Sequence, residues 1–428
     1  MDKFLTILKQ MWQSRDLRNR LMFTLAILFF IRIVGHIPLP GIDKTQLANF
    51  LNQSENQVFG VLSMFTGGSI YRLSIDLIGV GPYITASIIV QLLTKVIPSW
   101  EAIQKEGTSG QERLNSYTRY LTPFMALVQG YGMIALLKSQ SVLTIDSTFQ
   151  LVTMLASIMA TSIFVMWLGE LISERGLGNG ISLIIALGIV SGFPQQIANT
   201  AATTQGTGYW SVLIFGAMFL ITIAVIVLVN GAERRVPIIY SRRAAGYRAS
   251  TGVESFLPIK VNLAGVIPII FALSFLTFPL VIARFLTTAK SEMLVNFATN
   301  MTNFINNSTY YSITYFLLVL IFTFFYTYIV FQPEQVAENV QKQGGFIPGI
   351  RPGKEMVYYL KFIISRITVI GSLFLGFIAV LPFVVKSVID IPTLTLGGTS
   401  ILIVVSVILE TSRTIAGQLT MHRYDTIE

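Results

Sequence analysis

The feature that most limits how this chain can fold is a series of apolar runs, each long enough for a helix to cross much of a bilayer. They cover residues 21–34, 81–97, 120–137, 149–171, 181–197, 210–229, 263–282, 310–331, 362–385 and 399–415. A hydrocarbon core is roughly 30 Å thick, so about 20 residues rising ~1.5 Å each will span it. In lipid every backbone N–H and C=O must be satisfied within the segment, which makes such runs helices. Composition points the same way: 53% of the residues are hydrophobic and only 12% are charged, against roughly a quarter charged in soluble domains. The expected fold class is an all-α polytopic membrane protein with ten transmembrane helices.

The basic residues supply an orientation. Lys3, Lys9, Arg15, Arg18 and Arg20 precede the first run. That run resembles a signal peptide, but no small-residue cleavage site follows it. HIPLPGI follows instead, and its prolines and glycine stop the helix and turn the chain. A retained signal-anchor helix with a cytoplasmic N-terminus is the reading adopted. Ten spans then return the C-terminus to the cytoplasm. Of the 30 lysines and arginines, all but Arg32, Lys44, Arg72, Lys138, Arg284, Lys290 and Lys386 fall on that side, as the positive-inside rule requires.

Residues 64–100 are unusual within this pattern. From Gly81 onward the stretch is an apolar helix. Before it, Thr66-Gly67-Gly68 is a hinge. Ser69 to Ile75 would make about two helical turns, roughly 10 Å. This piece carries Arg72 and ends at Asp76, so it cannot rest in lipid. Either it fills a protein-lined cavity at membrane depth, or it is an ordinary re-entrant or surface helix. Gly79, Gly81 and Pro82 interrupt the start of the second span, leaving the short piece room to move independently.

Several chemistries are excluded. There is no cysteine, which removes disulfides, thiolate metal sites and thiol catalysis. The two histidines, His36 and His422, are far apart in sequence, and HExxH, Walker and GxSxG motifs are absent. No catalytic residue, metal or cofactor is expected. Glu170 and Glu410 lie toward span ends, so no mid-span acidic or basic series builds an ion path. The mid-span positions hold Val80, Ile84, Ile181, Ile185, Ile270 and Ile403, which taken singly is ordinary membrane composition.

The net charge of +9 must therefore gather in loops, facing anionic lipid, nucleic acid or acidic protein. Two cytoplasmic loops, 231–262 and 332–361, are too long for simple turns. They set arginines beside Val236, Ile238, Ile239, Tyr240, Phe346, Ile347 and Pro348. This pairing is expected to be an exposed apolar docking patch ringed by positive charge.

These blocks together resemble the SecY family, the channel-forming subunits of Sec protein translocases. The resemblance covers nearly everything from Arg18 to Tyr424. It is carried by RIVGHIPLPGI (32–42), FTGGSIYRLSIDLIGVGPYITASIIVQLL (65–93) and KEGTSGQERLNSYTRYLT (105–122). WLGELISERGLGNGISLII (167–185), ERRVPIIYSRRAAG (233–246) and PIKVNLAGVIPIIFA (258–272) continue it, and GGFIPGIRPG (344–353) and GGTSILIVV (397–405) complete it. It fades around 139–148, 199–209 and 285–309.

The resemblance implies a non-enzymatic channel that passes unfolded secretory polypeptides and releases transmembrane segments sideways into the bacterial cytoplasmic membrane. It implies two inverted pseudo-repeat halves around a central pore: 1–200, holding spans one to five, and 201–428, holding spans six to ten. It places a plug on Phe65, Thr66, Gly67, Gly68, Ser69, Ile70, Tyr71, Arg72, Leu73, Ser74 and Ile75. It places a pore ring on Val80, Ile84, Ile181, Ile185, Ile270 and Ile403, with valine at one position where isoleucine is common. It places a lateral gate on Thr85, Ser87 and Gln91 facing Asn262, Ser274 and Phe278. Arg234, Arg235, Arg242, Arg243 and Arg351 would meet SecA or the ribosome. The implied partners are the SecE and SecG subunits, the SecA ATPase, the ribosome, signal peptides and nascent chains, and anionic phospholipids.

A ring of stiff apolar side chains suits such a pore, since it offers ions no hydrogen bonds and does not discriminate among passing sequences. Ile403 is expected to touch apolar neighbours from other helices, and Ile401, two residues away, to occupy a different face. A small-solute secondary transporter is the alternative function, because broken helices and inverted repeats occur there too. The missing mid-membrane ionic site speaks against it. An intramembrane enzyme lacks any nucleophile, base or metal set.

Overall fold

The computed structural model describes residues 14–40, 73–139, 143, 145, 147–203, 209–240, 253–286, 291–389 and 398–425. Each of the ten expected spans falls on a helix. In order these are α1 (Arg15–Val34), α2 (Gly81–Val96), α4 (Thr108–Ser139), α5 (Thr148–Arg175), α6 (Gly180–Thr203), α7 (Tyr209–Gly231), α8 (Ile267–Leu286), α10 (Ser308–Val330), α12 (Lys354–Ile389) and α13 (Gly398–Asp425). Between them sit three shorter helices, α3 (Pro98–Lys105), α9 (Glu292–Asn306) and α11 (Pro333–Lys342), which apolar runs could not reveal.

Helix ends depart from the apolar runs for a physical reason. Hydropathy marks where a helix meets lipid, whereas hydrogen bonding continues until a breaker intervenes. Thus α4 starts at Thr108 rather than 120, α12 at Lys354 rather than 362, and α13 runs to Asp425 rather than 415. A breaker does intervene after α2. Ile97 precedes a proline and is extended (φ −100°, ψ 111°), and Pro98 opens α3, so the two helices bend by 103°. At the start of α8, Gly265 takes a φ of +62°, and the helix begins four residues later than the apolar run.

Among the described residues, four stretches are long and apolar enough to cross a membrane by themselves: Thr148–Arg175, Ser308–Lys342, Lys354–Val385 and Thr399–Thr420. The bent pair α2–α3 has the length and composition of a fifth when its two helices are taken as one broken span. Shorter apolar stretches lie at Gly180–Pro194, Gly216–Gly231 and Ile267–Leu276. Prolines interrupt α4, α6, α8 and α12 at Pro123, Pro194, Pro279 and Pro382.

The helices pack α2 on α4, α8 on α10, α10 on α12 and α7 on α13. At the α10–α12 crossing the ring of Phe316 lies where a Cβ on Gly376 would be, 2.7 Å from its Cε2. One apolar cluster joins α1, α2, α5, α6, α7, α8, α10, α12 and α13. A second lies on the side where α4 ends and α5 begins, and gathers Leu39, Leu73, Leu77 and Ile78 against Met133, Ile134, Leu137, Met154 and Ile158.

The two long loops form a third core, which corrects the expectation of an exposed apolar patch. Strand β1 (Glu233–Tyr240) pairs antiparallel with β2 (Val253–Lys260), from Glu233 opposite Lys260 to Tyr240 opposite Val253. On its other edge β1 pairs with β3 (Gly345–Phe346) of the second loop. Val236, Ile238 and Ile347 are buried with Ile259, Ala337, Val340, Met356 and Leu360. Ile239 and Tyr240 are half-buried, and Phe346 and Pro348 are exposed. Alternation along β1 turns Val236 and Ile238 to one face. α11 and the start of α12 cover that face.

Candidate functional site

Five of the six positions assigned to the ring are buried in the central cluster: Val80 at the entry to α2, Ile84 in α2, Ile185 in α6, Ile270 in α8 and Ile403 in α13. They approach from four different helices, and none carries a group that could bind water or an ion. Ile181 is only half-buried at the edge of this cluster. A Cβ on Gly169 of α5 would land on its Cδ1, so its side chain lies over the α5 backbone. The cluster also holds Ile27 and Ile31 of α1 and Tyr311 and Tyr315 of α10, so burial alone does not single out the ring.

Ile401 does not behave as expected. It is 5% exposed and Ile403 is 4% exposed, and both belong to the same cluster. Residues 401–404 are buried around the whole first turn of α13. The contrast between faces appears only further along, at Ile408, which is 60% exposed.

The two walls assigned to a lateral gate, α2 and α8, touch, and α8 lies more extensively along α4. On α2, Thr85 Oγ1 donates to Gly81 O (3.1 Å) and accepts from Gln129 Nε2 of α4 (3.0 Å). Gln91 Nε2 donates to Ser87 Oγ one turn earlier (3.2 Å). Ser274 is half-buried on α8, and Phe278 follows on the same helix.

Asn262, placed in the gate with them, faces elsewhere. Its Nδ2 donates to Asn230 Oδ1 at the end of α7 (2.9 Å), and Asn230 Nδ2 donates to Ser406 Oγ of α13 (2.8 Å). Arg413 Nη2 of α13 closes the seam on Asn230 O (3.1 Å). Asn262 therefore fastens the approach to α8 onto α7 and α13, not onto α2. Gln129, Asn230 and Ser406 were not singled out from the sequence. Their signal was available: a polar side chain within a span turns toward protein, not lipid.

Of the positions assigned to a plug, Phe65, Thr66, Gly67, Gly68, Ser69, Ile70, Tyr71 and Arg72 lie outside the described residues. Leu73, Ser74 and Ile75 are described, and they are not helical. Leu73 O accepts from Leu39 N and Ile75 N donates to Ile37 O, both at 2.9 Å, with Pro38 and Ser74 bridged antiparallel. Leu73 and Ser74 are fully buried, and Leu73 holds a φ of +44°, a conformation a leucine adopts only under tertiary constraint. HIPLP and LSI thus brace one another. The last three positions of the expected plug form a fixed footing, and independent motion would have to begin before Leu73.

On the three-stranded sheet Arg234 and Arg235 are exposed. Arg235 Nε pairs with Glu233 Oε1 (2.8 Å), and its guanidinium lies 4.9 Å from the centre of the Phe256 ring. Arg242 and Arg243 lie outside the described residues. Arg351 is exposed in a turn between Gly349 (φ +79°) and Gly353 (φ +101°), and among the described residues no carboxylate pairs with it. Beside that turn a cavity of about 490 Å³ opens between α11 and α12, lined by Glu334, Glu338, Lys354, Tyr358 and Lys361. Lys361 Nζ pairs with Glu334 Oε1 at 2.6 Å, and this hydrogen bond holds the Glu334 carboxyl below the usual carboxylate range.

A bundle of apolar helices around an aliphatic centre, with a basic platform on one face, defines a polytopic helical membrane protein. The family model for SecY matches residues 74–412. Proteins named protein translocase subunit SecY are 42% identical in Streptomyces galbus, covering 98% of this chain and 99% of that one, and 40% identical in Corynebacterium glutamicum, covering 97% and 98%. The chain belongs to the SecY family. Its fold superposes on a solved protein-conducting channel with a TM-score of 0.63 at 18% identity, over 93% of this chain and 91% of that one. It also superposes on Sec61 from a canine ribosome–channel complex, with a TM-score of 0.60 at 18% identity and the same two coverages. Family membership displaces the small-solute transporter reading: the chain is a protein-conducting channel subunit.

Proposed function

We propose that this chain conducts unfolded secretory polypeptides across a bacterial cytoplasmic membrane and releases apolar segments sideways between α2 and α8. The observation that carries this reading is the convergence of Val80, Ile84, Ile185, Ile270 and Ile403 from four helices into one buried apolar cluster. A constriction of that kind excludes ions while remaining indifferent to the sequence that passes. A segment that reaches the α2–α8 contact partitions by transfer free energy. Each central leucine or isoleucine favours lipid by roughly 0.3–0.6 kcal/mol, and a central charge opposes it by roughly 2.5–3.5 kcal/mol.

In this proposal residues 65–72 close the pore, standing on the braced footing at Leu73–Ile75. Residues 1–200 and 201–428 act as the two halves, with both termini in the cytoplasm. SecE and SecG complete the channel, anionic phospholipids surround it, and the platform around Arg234, Arg235 and Arg351 receives SecA or a ribosome. Reconstitution of the chain with SecE and SecG into vesicles, with SecA and ATP, tests it. A secretory precursor should become protected from added protease only when ATP is present. Protection equal with and without ATP, or none in either case, would overturn the reading.

A further inference from the structure

Helix α9 (Glu292–Asn306) joins the end of α8 to the start of α10, whereas β2 leads into the start of α8, so α9 sits at the other end of α8 from the β sheet. Its fifteen residues divide into three sectors. With about 100° per residue, Met293, Phe297 and Phe304 fall within roughly 40° of one another, and all three are exposed, Met293 by 83% and Phe297 by 60%. Ala298, fully buried, and the half-buried Met301 and Thr302 lie to one side of them, and through this sector the helix packs on α8 and α10. Asn296, Thr299, Asn300 and Asn303, all exposed, occupy an arc centred roughly 90° to the other side, with Asn300 at the border beside Met293.

A helix in water against a protein needs two sectors, one buried and one polar. A third sector of exposed aromatic and thioether side chains is unexplained unless something apolar covers it. We propose that the Met293–Phe297–Phe304 sector lies in the acyl boundary of the leaflet on that side, making α9 an interfacial helix at the junction of protein, lipid and water.

Continuity with a lipid-facing surface selects this occupant. Only Asn307 separates α9 from α10. Phe304 stacks on Tyr310 with ring centres 5.6 Å apart and planes 9° from parallel. From Tyr310 the exposed apolar surface runs down α10 through Ile313, Leu317 and Ile321. Stacked aromatic rings at the head of a span are what an interface favours. Glu292 is the only charged residue in the helix, so its seating would come from apolar area and not from anionic head groups, unlike basic interfacial helices.

The chain has no cysteine, so single nitroxide labels can be placed without altering a background. Full-length Phe297→Cys, Met293→Cys, Asn296→Cys and Asn303→Cys variants would be labelled in vesicles of phosphatidylcholine alone and of phosphatidylcholine with phosphatidylglycerol. Labels at 293 and 297 should relax severalfold more with oxygen than with a water-soluble nickel chelate, equally in both lipids, and labels at 296 and 303 should show the reverse. Preference for the nickel chelate at 293 and 297 would place the sector in water and overturn the proposal. So would protection from both agents, which would place a protein partner there, or seating that appears only with phosphatidylglycerol.

Discussion

Two apolar cores in this molecule use the same residue types and do different work. The central cluster holds Val80, Ile84, Ile185, Ile270 and Ile403 between membrane-crossing helices. The core under the β sheet holds Val236, Ile238, Ile259 and Ile347 between two loops and α11. In the loops, burial joins segments about a hundred residues apart into one platform, so apolar area there is stability. In the bundle, helices already hold each other over long interfaces, and dryness at the centre matters more than the energy of any one contact. The lesson is that burial of an isoleucine does not state its role; what surrounds the core does.

The largest expected effect breaks the loop core. Ile238→Asp puts a carboxylate where even truncation to alanine would cost about 2–5 kcal/mol. Limited proteolysis should cut residues 231–262 rapidly, while the spans stay inserted. An unchanged cleavage pattern with lost partner binding would instead restore the docking-patch reading of these residues.

Arg351→Glu sharpens the comparison at the platform's surface. The turn is held by Gly349 and Gly353 and not by the arginine, so yield and protease resistance should match the parent. SecA-driven precursor protection should fall at least tenfold, because a guanidinium fork would become a charge that repels an acidic partner. Normal ATP-driven transport would remove Arg351 from the docking surface.

Ile403→Asn tests the central core. An amide buried there without partners costs about 1–3 kcal/mol, relieved only if water enters. Ion conductance in planar bilayers should rise, and precursors with defective signal sequences should pass. Ile401 cannot serve as the control, because it is equally buried. Ile408→Asn, on the exposed face of the same helix, should leave conductance at the parent's value. Equal leak from 403 and 408 would dissolve the distinction between sealing and packing.

The smallest effect concerns the Lys361–Glu334 pair on the platform. Glu334 titrates below its usual 4.5 when paired, so the pair stabilises the fold above pH 4.5 and that contribution fades as pH falls through the lower, folded value. Both side chains are about half exposed, so solvent screening limits the gain to about 0.2–1 kcal/mol. Thermal melts of Lys361→Met and parent should differ slightly at pH 7 and converge as the pH is taken well below 4.5. A difference that persists at low pH would assign the lysine's contribution to packing, not charge.

The footing at Leu73–Ile75 shows where sequence reasoning reached its limit. Gly79, Gly81 and Pro82 marked a broken start to α2, and residues 73–80 are indeed non-helical. That Leu73 and Ile75 hydrogen-bond to residues 37–39 was invisible, because a bridge of this length has no periodicity of its own. Asn262 shows the same limit. Its position before α8 was legible, but whether its amide turned to α2 or to Asn230 depended on how α7 and α13 close around it.

The sequence by itself determined the number and order of the long helices and the loops in which the positive charge collects. Transfer into lipid depends on the composition of contiguous residues, and the positive-inside bias depends on loops read one at a time. Only the tertiary structure decided which apolar residues form the central cluster, which ones build the platform of the two long loops, and which face of α9 is left uncovered. An apolar side chain has no directional partner, so its neighbours are set by the shape of helices brought together from far along the chain.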